Sequence, residues 1–378
     1  MWLLPDYSRI NSQRRAFQRL APHLCRSTTL YKSFRRQGRS SQVSAVRAGM
    51  LRSLGVSALG ARALARASSP VLRVSPALDV GAALALMHSE RVGALLVAGP
   101  AADAEHVGIL TERDVLEKID FDMPVASVLV NQVMTSRDEM IHAHVEDSLD
   151  FVLERMQTGG FRHMPVVRDG QAVGMLSMRD IAHAIVQDWT STSHRAAPAV
   201  EVTAVELCRA RSRTINLGSL ARPSCIEAPP SSSVADAVQL MRQWGAGSVL
   251  VPSGGPSVDT SRRACGIFTE RDYMRLLGSA AALNQTIDPR RVDLSRCCTA
   301  ASGLVSATVS TPAIQCLALM SEMRIRHLPV MQEEEIDASF ELGESDEPPA
   351  APALLAILSV RDVLAQFLHT QPVTRQDS

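Results

Sequence analysis

One short pattern occurs four times along the chain and constrains the fold more than any other feature. It reads small–apolar–apolar–[Ser/Thr]–x–Arg–Asp–apolar, and its Ser/Thr positions are separated by 66, 92 and 90 residues. Internal repetition at such a period predicts a fold built from copies of one supersecondary unit. The four copies are GILTERDVL at 108–116, GMLSMRDIA at 174–182, GIFTERDYM at 266–274 and AILSVRDVL at 356–364.

The sequence upstream of each copy repeats as well. An amphipathic stretch with apolar residues every three or four positions precedes a short apolar strand; a loop and a second strand then lead into the junction and a final helix. This order predicts four β-α-β-β-α units and an α+β (α/β-like) fold class. The helical stretches are 79–89, 146–158, 233–244 and 311–323, and the first apolar strands are 93–98, 163–167, 247–251 and 327–331.

The four units alternate in sequence. The first and third carry small residues at the start of the apolar strand (VGALLV and AGSVLV), whereas the second and fourth carry Arg-His (FRHMPVV and IRHLPVM). Alternation predicts two tandem pairs rather than four equal repeats. One unit of this size has too small a core to be stable alone, so pairing would bury the strand faces.

These junctions and their alternation resemble CBS motifs, and each tandem pair resembles a Bateman module. The resemblance extends to stand-alone organelle proteins made of CBS pairs and to the gamma subunit of AMP-activated kinase. We expect two separable modules, which limited proteolysis of the linker would release. The predicted organisation is a basic arm over 1–70, a first module over 71–188 (units 71–120 and 128–188), a linker over 189–219, a second module over 220–370 (units 220–279 and 296–370) and a tail over 371–378.

The junction has two compatible interpretations, a helix cap and a ligand site. [Ser/Thr]-x-x-[Asp/Glu] before an apolar run is the capping-box signature, so structure alone explains one copy. All four copies nevertheless use Asp where a capping box prefers Glu or Gln, and all place Arg before it, where a cap makes no demand. Three copies also begin with glycine, which would let a ligand approach the strand end closely.

The residue types suit a nucleotide. A carboxylate can accept hydrogen bonds from both ribose hydroxyls, a neighbouring hydroxyl adds a third contact, and arginine pairs with phosphate. Because Bateman modules hold adenosyl ligands, the resemblance implies ribose-binding roles for Thr111/Asp114, Ser177/Asp180, Thr269/Asp272 and Ser359/Asp362. The phosphate-binding candidates are Arg113, Arg162, His163, Arg179, Arg271, Arg326, His327 and Arg361; for the four junction arginines, exposed helix-surface charges are the alternative.

We expect Asp362 to be the weakest of the four ribose sites. Ala356 replaces the leading glycine of that junction, and a long acidic insertion, EEEIDASFELGESDEPPAAPA, lies inside the strand pair of the fourth unit. A methyl group at a close backbone approach would obstruct a ligand, and nearby carboxylates would oppose bound phosphate.

The zero net charge hides a division along the chain. Residues 1–70 hold thirteen Lys/Arg and one acid, whereas the remainder holds 26 basic and 38 acidic residues. An Arg- and Ser-rich arm, with Arg52, Arg62 and Arg66 close together on a helix drawn from Met50, is typical of an import presequence. We expect a mature protein that begins between Met50 and Val71 in the mitochondrial matrix. A plastid or cytoplasmic location is the alternative, and a basic arm that binds nucleic acid or lipid is the other interpretation of the charge.

No catalytic signature accompanies the repeats. There is no G-x-x-x-x-G-K-[S/T] loop, nucleophile elbow or H-E-x-x-H, the seven cysteines lack zinc-like spacing, and no apolar run is long enough for a membrane span. We therefore expect a non-catalytic regulatory protein without catalytic cofactor or metal. It would bind AMP, ADP, ATP, NAD or S-adenosylmethionine, act on an unidentified partner protein, form a homodimer through its modules and bind no nucleic acid. The alternative is a structural assembly protein with empty sites.

Overall fold

A computed structural model describes nine ranges of the chain. The predicted arm and tail, most of the predicted linker and the acidic insertion lie outside these ranges, so what is expected of them stays a prediction. The described residues are 71–99, 106–192, 203–204, 206–207, 225–252, 264–283, 285–300, 303–332 and 354–368.

The first unit has the predicted β-α-β-β-α order. Its first strand lies parallel to the second, the second pairs antiparallel with the third, and a short strand from the following segment extends the sheet beyond the third. The elements are β1 (Arg73–Val74), α1 (Val80–Glu90), β2 (Ala94–Ala98), β3 (His106–Thr111), α2 (Glu112–Lys118), α3 (Val130–Val133) and β4 (Thr135–Ser136).

The other three units repeat this arrangement, which confirms the α+β fold class. In the third unit an isolated parallel bridge between Glu227 and Leu250 takes the place of the first strand. The second unit contains β5 (Ala143–His144), α4 (Leu149–Gly159), β6 (His163–Arg168), β7 (Gln171–Ser177) and α5 (Met178–Thr192). The third contains α6 (Val234–Trp244), β8 (Ser248–Pro252), β9 (Ala264–Thr269) and α7 (Glu270–Ala282), followed by β10 (Thr299–Ala300). The fourth contains β11 (Ala307–Thr308), α8 (Ala313–Glu322), β12 (His327–Met331), β13 (Leu354–Ser359) and α9 (Val360–Leu368).

Short polar residues set where the first helix begins in the first three units. Asp79 accepts a hydrogen bond from the backbone N–H of Ala82 at 2.8 Å, and Ser148 and Ser233 cap α4 and α6 in the same way. Such caps satisfy backbone donors that the helix itself leaves unpaired. They therefore fix the helix start, and with it the position of the strand that follows.

Within each tandem pair the sheets meet through a small apolar contact. Ala94 and Ile109 of the first unit cluster with Met140 from the second, and Leu250 and Ile267 of the third cluster with Ile357 of the fourth. This agrees with the pairing that the alternation predicts.

The two larger cores join units from different tandem pairs. One combines the first and third units, where α1 packs on α7 so closely that a Cβ on Gly81 would lie 2.7 Å from the Cβ of Ala281. The other combines the second and fourth units through α5 and α8, and it buries Ala204 and Leu207 of the predicted linker. Each large core takes residues from both tandem pairs, which counts against separable modules, while the predicted domain bounds stay a prediction.

Within the described ranges, no helix combines the length and the apolar character that a membrane crossing requires.

Candidate ligand site

All four junctions form a capping arrangement at the start of a helix. In each, the Asp carboxylate accepts a hydrogen bond from the backbone N–H of the Ser/Thr three residues earlier, at 2.8–3.0 Å. The Ser/Thr hydroxyl donates to the same carboxylate oxygen, Oδ2, at 2.6–2.7 Å. The cap thus uses one oxygen in every unit, and ligand binding depends on the surroundings of the other oxygen, Oδ1.

In the first and third units, groups of the chain itself occupy Oδ1. Asp114 Oδ1 accepts hydrogen bonds from Lys118 Nζ at 2.8 Å and from Thr135 Oγ1 at 2.9 Å. Asp272 Oδ1 accepts from Arg275 Nη1 at 3.2 Å, and burial raises the pKa of Asp272 although Thr269 and Arg275 oppose the shift.

Neither Asp114 nor Asp272 lines the cavities of about 380, 730 and 240 Å³ that the described residues form. The structure therefore gives Thr111/Asp114 and Thr269/Asp272 partners other than a ribose. It supports a structural role for these two pairs.

The leading glycines of the first and third junctions accommodate neighbouring backbone. A Cβ on Gly108 would lie 2.5 Å from the carbonyl oxygen of Thr135, and one on Gly266 would lie 2.4 Å from that of Thr299. β4 and β10 pass at these points and cover the strand ends. The expectation that these two glycines leave room for a ligand is wrong, and the ranking of Asp114 and Asp272 above Asp362 loses its basis.

Asp180 and Asp362, by contrast, line one cavity of about 380 Å³ where the four units meet. Ser177 and Ser359 stand beside them at its wall. Apolar residues of the preceding unit and of the adjoining strand face each Ser/Asp pair, and they could enclose a planar base. These residues are Leu72, Val92, Ala94 and Met175 in the first tandem pair, and Cys225, Ile226, Ala246 and Ile357 in the second.

Two buried carboxylates bind four of the arginines that the sequence assigned to phosphate. Burial alone would raise the pKa of Glu112, but Arg326 and Arg271 outweigh it and lower the pKa to about 2. The pKa of Glu270 is lowered as well, because Arg162 and Arg113 overcome the effect of burial. Glu112 pairs with Arg326 and with Arg271 (Nε–Oε1 3.5 Å), and Glu270 pairs with Arg162 and with Arg113 (Nη2–Oε1 3.0 Å). In the structure these four arginines therefore bind internal carboxylates, which their predicted role did not include.

The centre of the molecule nevertheless keeps an excess of positive charge. The Nε atom of Arg179 is buried without a hydrogen-bond partner, and burial together with Arg326 and Arg271 lowers the pKa of Arg179 to about 9. Arg361 also lines the cavity and donates to the carbonyl oxygen of Gly160. Seven guanidinium groups in this region, those of the six arginines that line the cavity and of Arg271, face five carboxylates, those of Glu90, Glu112, Glu270, Asp180 and Asp362. An anion would relieve the imbalance.

His163 contributes to the cavity as a neutral group. Burial and the adjacent Arg326 hold its pKa well below the usual range, so the imidazole is uncharged at pH 7. Its role at a phosphate would be that of a hydrogen-bond partner. His327 occupies the corresponding place in the fourth unit and also lines the cavity.

The alternation of small and Arg-His strands is explained by contact between opposed units. A Cβ on Gly93 would lie 2.5 Å from Arg326 Nη2 and 3.0 Å from His163 Cε1. The equivalent Gly247 stands against His327 and Arg162, at 2.8 Å from Nε2 and 3.1 Å from Nη1. The first and third units thus have glycine at the point where the second and fourth units insert their arginine and histidine side chains.

Sequence reasoning missed Glu112 and Glu270, which it treated as the variable position of the junction. The signal was present in the alternation: T-E-R-D recurs unchanged in the first and third units, whereas Met178 and Val360 occupy that position in the other two. An acid confined to alternate units indicates a partner in the intervening units. Arg162 and Arg326 are those partners.

Repeated β-α-β-β-α units, paired through their sheets and arranged around a shared basic cavity, place the chain in a class of α+β repeat proteins. A family model described as "CBS domain" matches residues 61–120, 130–187 and 217–279. The chain belongs to the CBS-domain family. The fourth unit lies outside the matched residues, but it shares with the others the order of its elements and the Ser359–Asp362 cap.

Three relatives illustrate the likeness. The chain is 33% identical over 103 residues to the CBS domain-containing protein CBSX3, mitochondrial, of Arabidopsis thaliana, a match that covers 27% of this chain and half of that relative's length. It is 30% identical over 145 residues to an uncharacterised 17.7 kDa protein of Acidianus ambivalens, covering 37% of this chain and 82% of that protein. The solved structure of MJ1225 from Methanocaldococcus jannaschii, described as a candidate archaeal homologue of γ-AMPK, shares the fold: the TM-score is 0.58 at 19% identity, over 80% of this chain and 98% of the other.

Proposed function

We propose that this protein is a non-catalytic regulator that binds two adenine nucleotides in its central cavity. The observation that carries the proposal is the convergence of both remaining Ser/Asp pairs, Ser177/Asp180 and Ser359/Asp362, with an excess of arginine in one cavity. Each carboxylate would accept the ribose hydroxyls, and the phosphates would point to the centre. The phosphates would there be held by Arg179 and Arg361. Arg162 and Arg326 would also bind them once they release Glu270 and Glu112.

The charge of the cavity narrows the ligand class. AMP, ADP, ATP and NAD carry phosphates that match the excess of guanidinium groups. S-adenosylmethionine shares the ribose edge, but it places a sulfonium cation where those nucleotides have phosphate, so like charges would oppose it. We therefore favour phosphate-bearing adenosyl ligands. The likeness of the fold to the candidate γ-AMPK homologue supports this choice by analogy alone.

Regulation would follow from the way the cavity is built. Because all four units line it, a ligand that binds there changes contacts within and between the tandem pairs, and a partner protein could detect that change.

We propose that the fourth unit is a further CBS motif. The mitochondrial name of the Arabidopsis relative and the basic N-terminal arm together support a mitochondrial location, and the homodimer remains a proposal on the family resemblance.

Isothermal titration of the chain with AMP, ADP, ATP, NAD, adenosine and S-adenosylmethionine tests the proposal. AMP should bind with saturable heat and weaken as ionic strength rises, because phosphate contacts are screened by salt. Adenosine should bind at least tenfold more weakly, since it lacks the phosphate. Flat traces for AMP, ADP, ATP and NAD alike would refute nucleotide binding and favour the assembly-protein alternative, to which the internal Glu–Arg pairs also lend support because they satisfy arginines without a ligand.

A further inference from the structure

A second cavity, which we call the inter-pair groove, lies between helices of all four units. Its volume is about 730 Å³, and we define it by Arg91, Arg179, His183, Arg271, Arg275 and Arg324. It adjoins the central cavity, since Arg91 and Arg179 line both. The nucleotide sites proposed above do not use the groove's outer part.

The groove is basic from its floor to its rim. Five guanidinium groups line it against the two carboxylates of Glu112 and Asp180. At the floor, Arg271 Nη2 and Arg179 Nε are buried without hydrogen-bond partners. Arg275 and Arg324 are exposed and stand at the rim. Buried guanidinium donors without partners are costly, and an anion with several oxygens would satisfy them.

Two of these arginines occupy positions that favour glycine. Arg91 and Arg324 follow α1 and α8 with φ of 59° and 54°, in the left-handed region. The second and third units use Gly160 (φ 74°) and Gly245 (φ 56°) at the same place after the helix. Because a side chain is disfavoured in this conformation, arginine at both positions does not serve backbone stability. Both side chains line the groove instead.

We propose that the inter-pair groove binds a chain of two or three phosphates. A single phosphate would engage either the floor or the rim, whereas a chain can contact buried Arg179 and Arg271 and the exposed Arg91 and Arg324 together. The phosphates could belong to a free polyphosphate ion or to the end of a nucleoside triphosphate. The site shares Arg179 with the nucleotide sites proposed above, whereas Arg91, Arg271 and Arg324 have no role in those sites.

Tripolyphosphate is the probe, titrated into the full chain by calorimetry. The R91G/R324G variant places at both positions the residue that the sister units already have, so it should melt no lower than the parent. It should bind tripolyphosphate at least tenfold more weakly. The matched control is R291Q/R296Q, which removes the same charge from two exposed arginines elsewhere, 88% and 81% exposed, and should bind within twofold of the parent.

Competition then identifies the source of the phosphates. If tripolyphosphate displaces ATP and leaves AMP bound, the groove takes the terminal phosphates of a nucleotide; if ATP and tripolyphosphate bind together, it takes the free ion. The proposal is overturned if tripolyphosphate gives no heat with the parent, if R91G/R324G binds it unchanged, or if the control loses as much affinity as that variant.

Discussion

Single residues decide how the arginines at the centre are used. Glu112 and Glu270 have exposed fractions of 4% and 1%, and each is held by arginines from other units. A phosphate that reaches Arg162 or Arg326 must compete with these carboxylates. The junction glutamates therefore stabilise the unliganded protein and at the same time lower its affinity for an anion.

Replacing Glu112 by Gln should separate these two effects. The amide keeps the shape but leaves Arg326 and Arg271 without a counter-charge, and loss of one partner of a buried pair costs about 3 kcal/mol. We expect a lower melting temperature without ligand and severalfold tighter AMP binding. The control is Glu117→Gln, because Glu117 is 47% exposed and its surface pair with Arg113 contributes little. An E112Q protein that folds but binds AMP more weakly than the parent would contradict this account.

The same substitution has a consequence for pH dependence. The folded pKa of Glu112, about 2, lies below its ordinary value of 4.5. Its contribution to stability is therefore complete above pH 4.5 and is lost as the pH falls toward 2. Melting temperatures measured from pH 6 to pH 3 should fall less steeply for E112Q than for the parent, and parallel curves would count against the ion pair.

Gly93 offers a test of the opposed strand. A Cβ there would press on both Arg326 and Glu112, which form a buried ion pair, so Gly93→Ala should disturb ligand binding and also lower stability. We expect AMP affinity to fall about tenfold. Gly303→Ala is the matched control, since its Cβ would lie 3.7 Å from the nearest atom, an ordinary contact. Equal affinities for the two variants would exclude Gly93 from the site.

At the scale of elements, one capping arrangement serves two purposes according to what lies beside it. All four junctions pair a Ser or Thr with Asp at the cap, and the sequence predicted the helix starts and this pairing correctly. It could not distinguish Asp114 from Asp180, because the difference comes from Thr135, 21 residues further along, and from the strand that carries it. Local pattern determines the cap, whereas tertiary contact determines whether the second carboxylate oxygen is available.

Asp114→Ala and Asp180→Ala should therefore have opposite consequences. Asp114→Ala removes a cap, the pair with Lys118 and the bond from Thr135, so we expect a loss of about 2 kcal/mol in unfolding free energy and unchanged AMP affinity. Asp180→Ala removes a cap worth about 1 kcal/mol and should weaken AMP binding strongly. Chemical denaturation and AMP titration of both variants provide the comparison. A D114A protein with impaired binding and full stability would reverse our assignment.

At the scale of the whole molecule, the cores tie the tandem pairs together. The repeats and their alternation were readable from the sequence, but the packing of α1 on α7 and of α5 on α8 was not. Apolar periodicity shows that a helix face is buried and leaves its partner undetermined. Gly81, which admits Ala281, and the buried linker residues Ala204 and Leu207 reveal the partners only in three dimensions.

Proteolysis should consequently nick the chain without dividing it. Trypsin can cut after Arg209, Arg211 and Arg213, but the halves share both large cores. We expect the nicked protein to elute as one particle in gel filtration and to melt in one transition. Two fragments that elute apart and melt separately would contradict this expectation and show that the modules are independent.

The central claim is that each chain holds two nucleotides, one on Asp180 and one on Asp362, and the stoichiometry of AMP binding tests it most directly. Calorimetry should give two AMP per parent chain, one per chain in either Asp180→Ala or Asp362→Ala, and none in the double variant. Four AMP per chain, or two that persist in the double variant, would contradict the account.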